Sequence, residues 1–381
     1  MDLELVATCA LGLETLVAGE LDELGVRAIA PGRGAVHFRG GWRDVVRANL
    51  HLRAANRVLV TLASWPAAHG DALAHGAGAL VRDARRSWAG ITAGELFAPS
   101  NSLAVRASAS RSQITDVRWI ALRLKDGIVD AQRKRFGQRA SVSREDPVLP
   151  LRLHLDQDHA TLLLDTSGQS LDHRGYRVTT ARAPVREQLA AACVLAADWQ
   201  GQGPVVDPMC GSGTLLVEAG WRALGRPPSF LRRTWAFERF PGFDPRALVA
   251  VRSEAQTVHA PDPVLIGIDR DATAVQAARD NLTAAQLDLH ARISRGDAFT
   301  FEPPKTPGLV LINPAYGRRL EAARDDMKRL GDLLKQRYKG WRAVVLAGDP
   351  GRGKYLGLRP KRKISIKNGP VDARILVFDL F

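Results

Sequence analysis

Two segments combine residue types that could hold a small planar substrate and react with it. Asn313-Pro314-Ala315-Tyr316 directly follows the apolar run Gly308-Leu309-Val310-Leu311-Ile312. Upstream, Val205-Val206-Asp207-Pro208-Met209-Cys210-Gly211-Ser212-Gly213-Thr214 reads as a strand running into a glycine turn and then a helix. Gly211 and Gly213 permit positive φ and close approach of backbone to a ligand, and the helix start at Thr214 offers unpaired N–H groups to an anion. No Lys follows the glycines, which disfavours a nucleoside triphosphate loop. In the downstream segment, the Asn313 side-chain oxygen and the Pro314 carbonyl can accept both N–H groups of a planar amine, and Tyr316 can stack on its ring. Such an arrangement suits methyl transfer to an exocyclic nitrogen, because an activated methyl donor needs little acid–base help and positioning supplies most of the rate.

Two acids between these segments strengthen the reading. Val264-Leu265-Ile266-Gly267-Ile268-Asp269 is a strand ending in a carboxylate, followed by Arg270 and a helix over 272–284. A carboxylate at that tip can accept both ribose hydroxyls of an adenosine. Ile293-Ser294-Arg295-Gly296-Asp297 ends a third strand, and Asp297 can accept from an adenine amine beside Ala298 and Phe299. Open α/β sheets bind ligands at the carboxyl ends of their strands. Taken singly, the glycine turn is also an ordinary strand–helix joint, each acid a helix cap, and Asn-Pro a common turn pair. Gly213 lies much farther from Asp269 than the roughly 20 residues of a dinucleotide fingerprint, because 221–263 is an insertion rich in Arg, Pro and aromatic residues. A nicotinamide oxidoreductase, which would bind NADH and leave the Asn313 corner without a role, stays as an alternative. So does an RNA-binding module without catalysis.

The elements that must position these residues fall into an α/β pattern. Residues 1–61 read as a small unit with strands over 3–8, 35–38 and 58–61 and helices over 13–24 and 44–52. Residues 62–165 form a second unit, with helices over 67–87 and 115–136 and strands over 102–107, 151–155 and 160–165. Residues 166–182 are polar and glycine-bearing, as a linker would be. Residues 183–381 alternate strands and helices, which implies a parallel or mixed sheet covered on both faces.

The chain has 381 residues, 45% apolar and 25% charged, as expected of a globular protein of two or three domains. No apolar run approaches the ~20 residues of a membrane helix. The acidic start Met1-Asp2-Leu3-Glu4 lacks a secretory pattern, and Cys9, Cys193 and Cys210 show no disulfide or metal spacing. A cytoplasmic monomer without metal is the expectation. The net charge of +14 suits a polyanion partner. Between residues 82 and 144 there are 13 Lys/Arg against 5 Asp/Glu, and between Asp349 and Asp372 seven Lys/Arg and no acid. Candidate RNA contacts are Arg118, Arg123, Lys125, Arg133, Lys134 and Arg135 on the 115–136 helix, Lys361, Arg362 and Lys363 near the end, and Arg232 and Arg233 with Trp235 in the insertion, flanking the base entrance.

These motifs together resemble those of class I S-adenosyl-L-methionine (SAM)-dependent guanine-N2 RNA methyltransferases, in particular the THUMP-bearing group that modifies bacterial large-subunit ribosomal RNA. Further matches are Ala7-Thr8-Cys9 with Gly12-Leu13-Glu14, Asn49-Leu50-His51-Leu52-Arg53, Arg174-Gly175-Tyr176-Arg177, and Arg186-Glu187-Gln188-Leu189-Ala190-Ala191. The resemblance covers essentially the whole chain. It implies a ferredoxin-like piece, a THUMP RNA-binding domain and a single Rossmann-like methyltransferase domain with a mixed seven-stranded sheet. It further implies that Asp207, Met209, Cys210, Gly211, Ser212, Gly213 and Thr214 line the SAM methionine end, that Asp269 and Arg270 flank the ribose, that Asp297 and Ala298 meet the adenine, and that Asn313, Pro314 and Tyr316 hold the target base. The second proline usual in the family is Ala315 here, and some members continue into a second methyltransferase domain beyond the length of this chain. Ribosomal RNA is favoured over transfer RNA, whose guanine methyltransferases share the same corner. An adenine-N6 methyltransferase would also use Asn-Pro-x-Tyr.

Overall fold

The structure, a computed structural model, describes residues 2–180, 184–254, 263–314, 320–348, 351–368 and 371–381. Its first half contains β1 (Leu3–Cys9), α1 (Glu14–Glu23), β2 (Arg27–Pro31), β3 (Ala35–Gly40), α2 (Trp42–His51), β4 (Ala55–Pro66), α3 (Gly70–Arg82), β5 (Ser87–Trp88), β6 (Ile91–Thr92), α4 (Ala93–Leu96), β7 (Leu103–Ser110), α5 (Val117–Phe136), β8 (Leu149–Asp156) and β9 (His159–Asp165). The second half contains α6 (Glu187–Ala196), β10 (Val205–Asp207), α7 (Thr214–Ala223), α8 (Pro245–Glu254), β11 (Leu265–Asp269), α9 (Ala272–Ala284), β12 (Ala291–Arg295), β13 (Leu309–Ile312), α10 (Leu320–Arg337), β14 (Arg342–Ala347), β15 (Arg362–Asn368) and β16 (Val371–Asp379). No described helix is long and apolar enough to cross a membrane.

Alternation decides the first sheet. In β1, Leu3, Leu5, Ala7 and Cys9 point inward and Glu4, Val6 and Thr8 outward, the period of two expected of a half-covered strand. Seven strands pair in the order β2-β3-β1-β4-β9-β8-β7. The expected division at 61/62 falls inside β4, which pairs with β1 through residues 55–60 and with β9 through 59–66. The two N-terminal units therefore share one sheet. α5 seats Ile120, Leu124 and Ile128 in the same core as Leu151 and Leu153 of β8, on the inner face. It meets α3 closely, because a side chain at Gly127 would lie 2.2 Å from the Ala74 carbonyl oxygen.

The second sheet runs β12-β11-β10-β13-β14-β16-β15. The first five strands are parallel, and β16 enters antiparallel between β14 and β15. β13 shows why it is central: Leu309 and Leu311 belong to one core, Val310 and Ile312 to the other. A strand buried on both faces reads as a continuous apolar run.

The segment expected as a linker is a packed strap. Thr166 and Ser167 are fully buried, and Arg174 and Tyr176 nearly so. Asn49 of α2 donates to Thr166 Oγ1 at 2.8 Å and accepts from Ser167 Oγ at 2.6 Å. Arg174 pairs with Glu218 of α7 at 3.3 Å and donates to the carbonyls of Leu171 and Arg53. Glu20 of α1 accepts from the backbone N–H groups of Arg53 and Ala54 at 2.7 and 3.0 Å. Burial pushes the Glu20 carboxyl up to about 7 despite the pull of those N–H groups and of Arg53 and Arg174. A second joint lies at the sheet edge, where the Lys367 N–H of β15 donates to the Leu11 carbonyl at 3.0 Å.

Candidate active site at the carboxyl edge of the second sheet

Because β12, β11, β10 and β13 run parallel and side by side, their carboxyl ends share one edge. Register brings Asp207 opposite Gly267 and Asp269 opposite Arg295. The turn after β10 then folds toward β11: the Cys210 N–H donates to the Ile268 carbonyl at 2.9 Å, and the Gly211 N–H to Asp269 Oδ2 at 3.0 Å. Gly211 has φ +52°, and a side chain there would meet nothing within 4 Å. Gly213 has φ +80° and caps α7; a Cβ at this position would lie 3.3 Å from that of Ala278 on α9. The first glycine leaves the turn open to a ligand, and the second lets two helices close beneath it.

The predicted cofactor residues divide into those that face this opening and those that build it. Asp207 is buried and accepts from the Met209 N–H at 3.1 Å. Burial, reinforced by the nearby Asp269, pushes its carboxyl up to about 8. Asp269 spends one lone pair of Oδ1 on the Asp271 N–H at 3.0 Å and one of Oδ2 on Gly211, so both oxygens keep acceptor capacity. Asp297 is exposed two residues beyond β12 and holds the Phe299 N–H at 3.0 Å, while Ala298 is buried. Arg270 is exposed, and its carbonyl accepts from Arg295 Nε at 3.0 Å. Met209 packs against the core on one face of the sheet. The buried Cys210 thiol sits under the turn, where its Sγ would be 3.1 Å from a Cβ on Gly267. Desolvation raises its pKa well above the ordinary thiol range. The Ser212 carbonyl accepts from Asn281 Nδ2 at 2.9 Å, and Thr214 Oγ1 from Arg177 Nη2 at 3.2 Å.

Asn281 and Arg177 supply the support that motif reading did not assign. Asn281 of α9 also accepts from the Val178 and Thr179 N–H groups at 2.9 and 3.1 Å and donates to the Thr179 carbonyl at 2.9 Å. Arg177 pairs with Glu187 at 2.8 Å. The strap is thereby bound to the glycine turn. Arg177 lies in a recognisable motif, but Asn281 reads only as one polar position on a helix.

At the end of β13, Asn313 Oδ1 is buried and has no hydrogen-bond partner among the described residues, and Pro314 is buried beside it. Tyr316 lies outside the described residues, as does Ala315.

The arginines expected to contact RNA do not form one surface. On α5, the 3.6-residue turn separates Arg118, Lys125 and Arg133 from Arg123 and Lys134. Arg118 and Lys134 are exposed. Arg123 pairs with Asp71 at 2.5 Å, Lys125 with Asp126 at 3.1 Å and Arg133 with Asp130 at 3.5 Å, while Arg135 donates to the Val81 carbonyl at 2.5 Å. Arg232 is likewise no gatepost: it donates to the carbonyls of Ser167, Gln169, Ser170 and Thr234 and lies over the buried Trp235 ring, 4.0 Å from its centroid. It clamps the strap. Arg233 is exposed. Lys361 pairs with Asp379 at 2.8 Å, and Arg362 and Lys363 are exposed on or beside the edge strand β15.

Comparison with known proteins agrees with this architecture. Residues 4–59 match the RlmL ferredoxin-like domain, residues 89–165 the THUMP domain, and residues 174–376 the RMKL-like methyltransferase domain. The chain belongs to the RMKL-like methyltransferase family. It is 35% identical over 383 residues to the Synechocystis protein slr0064, named as an RNA methyltransferase, covering 98% of this chain and 96% of that one. It is 37% identical over 390 residues to the ribosomal RNA large subunit methyltransferase K/L of Syntrophotalea carbinolica, covering 98% of this chain but 53% of the relative. The chain thus spans about half the length of the K/L relatives. Among solved structures, SMU.472, described as a methyltransferase and solved with SAH, superposes with a TM-score of 0.86 at 28% identity over 100% of this chain and 98% of that one.

The second sheet is therefore a class I methyltransferase fold, and the cofactor of such a fold is SAM. The described residues fit that molecule. There is open space over Gly211, a helix start at Thr214, a buried carboxyl at Asp207 for a cationic group, and spare acceptor capacity at Asp269 for a ribose diol.

Proposed function

We propose that this chain methylates the exocyclic N2 amine of a guanosine in RNA, with large-subunit ribosomal RNA as substrate. The carrying observation is the buried Asn313 Oδ1 just after β13, without a partner among the described residues and one strand from the glycine turn. A buried acceptor without a partner costs roughly 1–3 kcal/mol. A donor arriving from an amine would remove that cost at the moment of binding. The RNA reading is supported by the THUMP match and by the names of the relatives.

When bound, SAM supplies a methyl group already activated by its sulfonium. Asp207 would neutralise the cationic methionine end, the Gly211–Gly213 turn and the start of α7 would receive its carboxylate, Asp269 would accept from the ribose hydroxyls and Asp297 from the adenine amine. Asn313 Oδ1 and the Pro314 carbonyl would accept the two N–H groups of the target, favouring a nitrogen lone pair free to take the methyl, and one amine proton would leave after transfer. Tyr316 is proposed to stack on the base. A target base must leave its stack to enter, at a cost of a few kcal/mol, which phosphate contacts in the N-terminal half offset. The deciding experiment incubates the protein with labelled SAM and either undermodified large-subunit ribosomal RNA or transfer RNA. Mass spectrometry of the nucleosides is expected to give N2-methylguanosine from ribosomal RNA. N6-methyladenosine, or product from transfer RNA alone, would overturn the assignment.

Two results follow for the cofactor. Asp269→Ala removes acceptors from the ribose and the anchor of Gly211, and charge-assisted bonds are worth about 1.5–3 kcal/mol each. Titration calorimetry should show the SAM Kd rising about 10–100-fold; an unchanged Kd contradicts the ribose role. Asp207, pushed up to about 8, keeps its proton in the free protein at neutral pH. A cation beside it favours the carboxylate, so SAM binding should expel about one proton at pH 7 and almost none at pH 9. Affinity should rise with pH across that interval. Calorimetry at pH 7 in buffers of different ionisation enthalpy measures the proton directly, and a buffer-independent heat would remove Asp207 from the cation site.

A further inference from the structure

The outer face of the first sheet carries a charge cluster on the side opposite α5. Register places Arg106 of β7 directly against Arg152 of β8, and Arg152 against Leu163 of β9. Arg152 Nε and Arg57 Nη1 both reach a single carboxylate oxygen, Asp165 Oδ2, each at 2.7 Å. Arg106 is exposed and has no ion-pair partner among the described residues. Two guanidinium groups thus share one buried carboxylate, and the third, Arg106, stands directly against one of them. Like charges directly opposite each other in a sheet cost stability unless an anion lies between them.

The next row of the same face is polar. Ser108, His154, Thr161 and Ser64 stand side by side in register, with Ser108 Oγ 3.0 Å from His154 Nδ1 and Ser64 Oγ 3.0 Å from Thr161 Oγ1. Among the described residues no helix contributes to the apolar cluster on this face, which consists of Val6, Leu59 and Leu163 with Ala35, all on strands. None of the exposed large apolar side chains belongs to these strands. Protein interfaces bury aromatic and apolar anchors, whereas nucleic-acid interfaces are polar and positive. At its far end the cluster meets the strap, where Arg57 Nη1 also donates to the Gly168 carbonyl at 2.6 Å.

We propose that this open sheet face is a phosphate-binding track for RNA, with Arg106 and Arg152 as its outward cations and Arg57 behind them. The hydroxyl row would contact sugar and phosphate oxygens, which position an RNA without reading its sequence. The proposal rests on the RNA reading above and locates where that RNA lies.

The test measures binding of unmodified large-subunit ribosomal RNA transcript to the full chain between 50 and 200 mM salt, for the wild type, Arg106→Lys, Arg106→Ala and Arg106→Glu. Each phosphate contact contributes roughly 0.7–0.9 to the slope of log Kd against log salt. Arg106→Ala should lower that slope by about one contact, Arg106→Glu should weaken binding at least tenfold, and Arg106→Lys should stay close to the wild type. The SAM Kd of all three should equal that of the wild type. Wild-type affinity and slope in Arg106→Glu would overturn the track while leaving the RNA reading intact. Salt-independent binding by the wild type itself would overturn the RNA reading as well.

Discussion

Asn313→Ala is expected to lower methyl-transfer turnover by about 10²–10³-fold while SAM binds as tightly as before. The estimate follows from what removal of one preorganised polar contact to a reacting group costs elsewhere, about 2.7–4 kcal/mol of barrier. Asn313 directly follows a strand buried on both faces, which fixes the position of its backbone. Stability should move the other way. The variant deletes a buried acceptor that has no partner among the described residues, and thermal unfolding should occur at the same temperature or slightly higher, as expected where a site trades stability for function. Asn313→Asp keeps an acceptor oxygen and should recover part of the lost rate. Single-turnover assays with saturating SAM separate these outcomes. Normal turnover in Asn313→Ala would end the amine-holding role, and equal loss in the Ala and Asp variants would show that the oxygen is not the operative atom.

The strand-end residues were legible because their signal is local. A short apolar run ending in an acid or an Asn announces a buried parallel strand and its carboxyl tip, and Asp207, Asp269 and Asn313 all lie on the edge so predicted. The expected helix over 272–284 coincides with α9 for the same reason, since Asp271 caps it through the Thr273 N–H at 2.9 Å. β2 escaped notice because its five residues are mostly exposed and lack an apolar period. The spatial arrangement of the basic residues was not legible, because a cluster in sequence has no direction. On α5 the cations fan around the helix, Lys125 and Arg133 into local pairs and Arg123 onto Asp71 of α3, whereas Arg106 and Arg152 are 46 residues apart and meet only through strand register. The strap was hidden by the same physics. Its polar, glycine-bearing composition is that of a loop, yet key polar groups are satisfied by residues far along the chain, such as Ser167 by Asn49 and Arg174 by Glu218.

That strap gives the largest expected effect on stability. Arg174 and Glu218 are almost completely buried, and Tyr176 Oη donates to the same Glu218 oxygen at 3.1 Å. Breaking a buried pair by removing one partner typically costs about 3–5 kcal/mol, because the other charge remains in a medium that cannot solvate it. Arg174→Ala also strips donors from the carbonyls of Leu171 and Arg53, so its cost should lie at the upper end. Arg53 belongs to the first unit and Glu218 to the methyltransferase domain, so this loss falls on the joint itself. Denaturant unfolding of Arg174→Ala should show the midpoint lowered and the single transition broadened or split, with proteolysis appearing within the strap at 166–180. Replacing both charges, as in Arg174→Met with Glu218→Leu, removes the desolvation penalty with the pair and should recover most of the loss. A double-mutant cycle reads the coupling directly. If Arg174→Ala unfolds like the wild type, or if the apolar pair is no better than the single variant, the buried pair is not what joins the two halves.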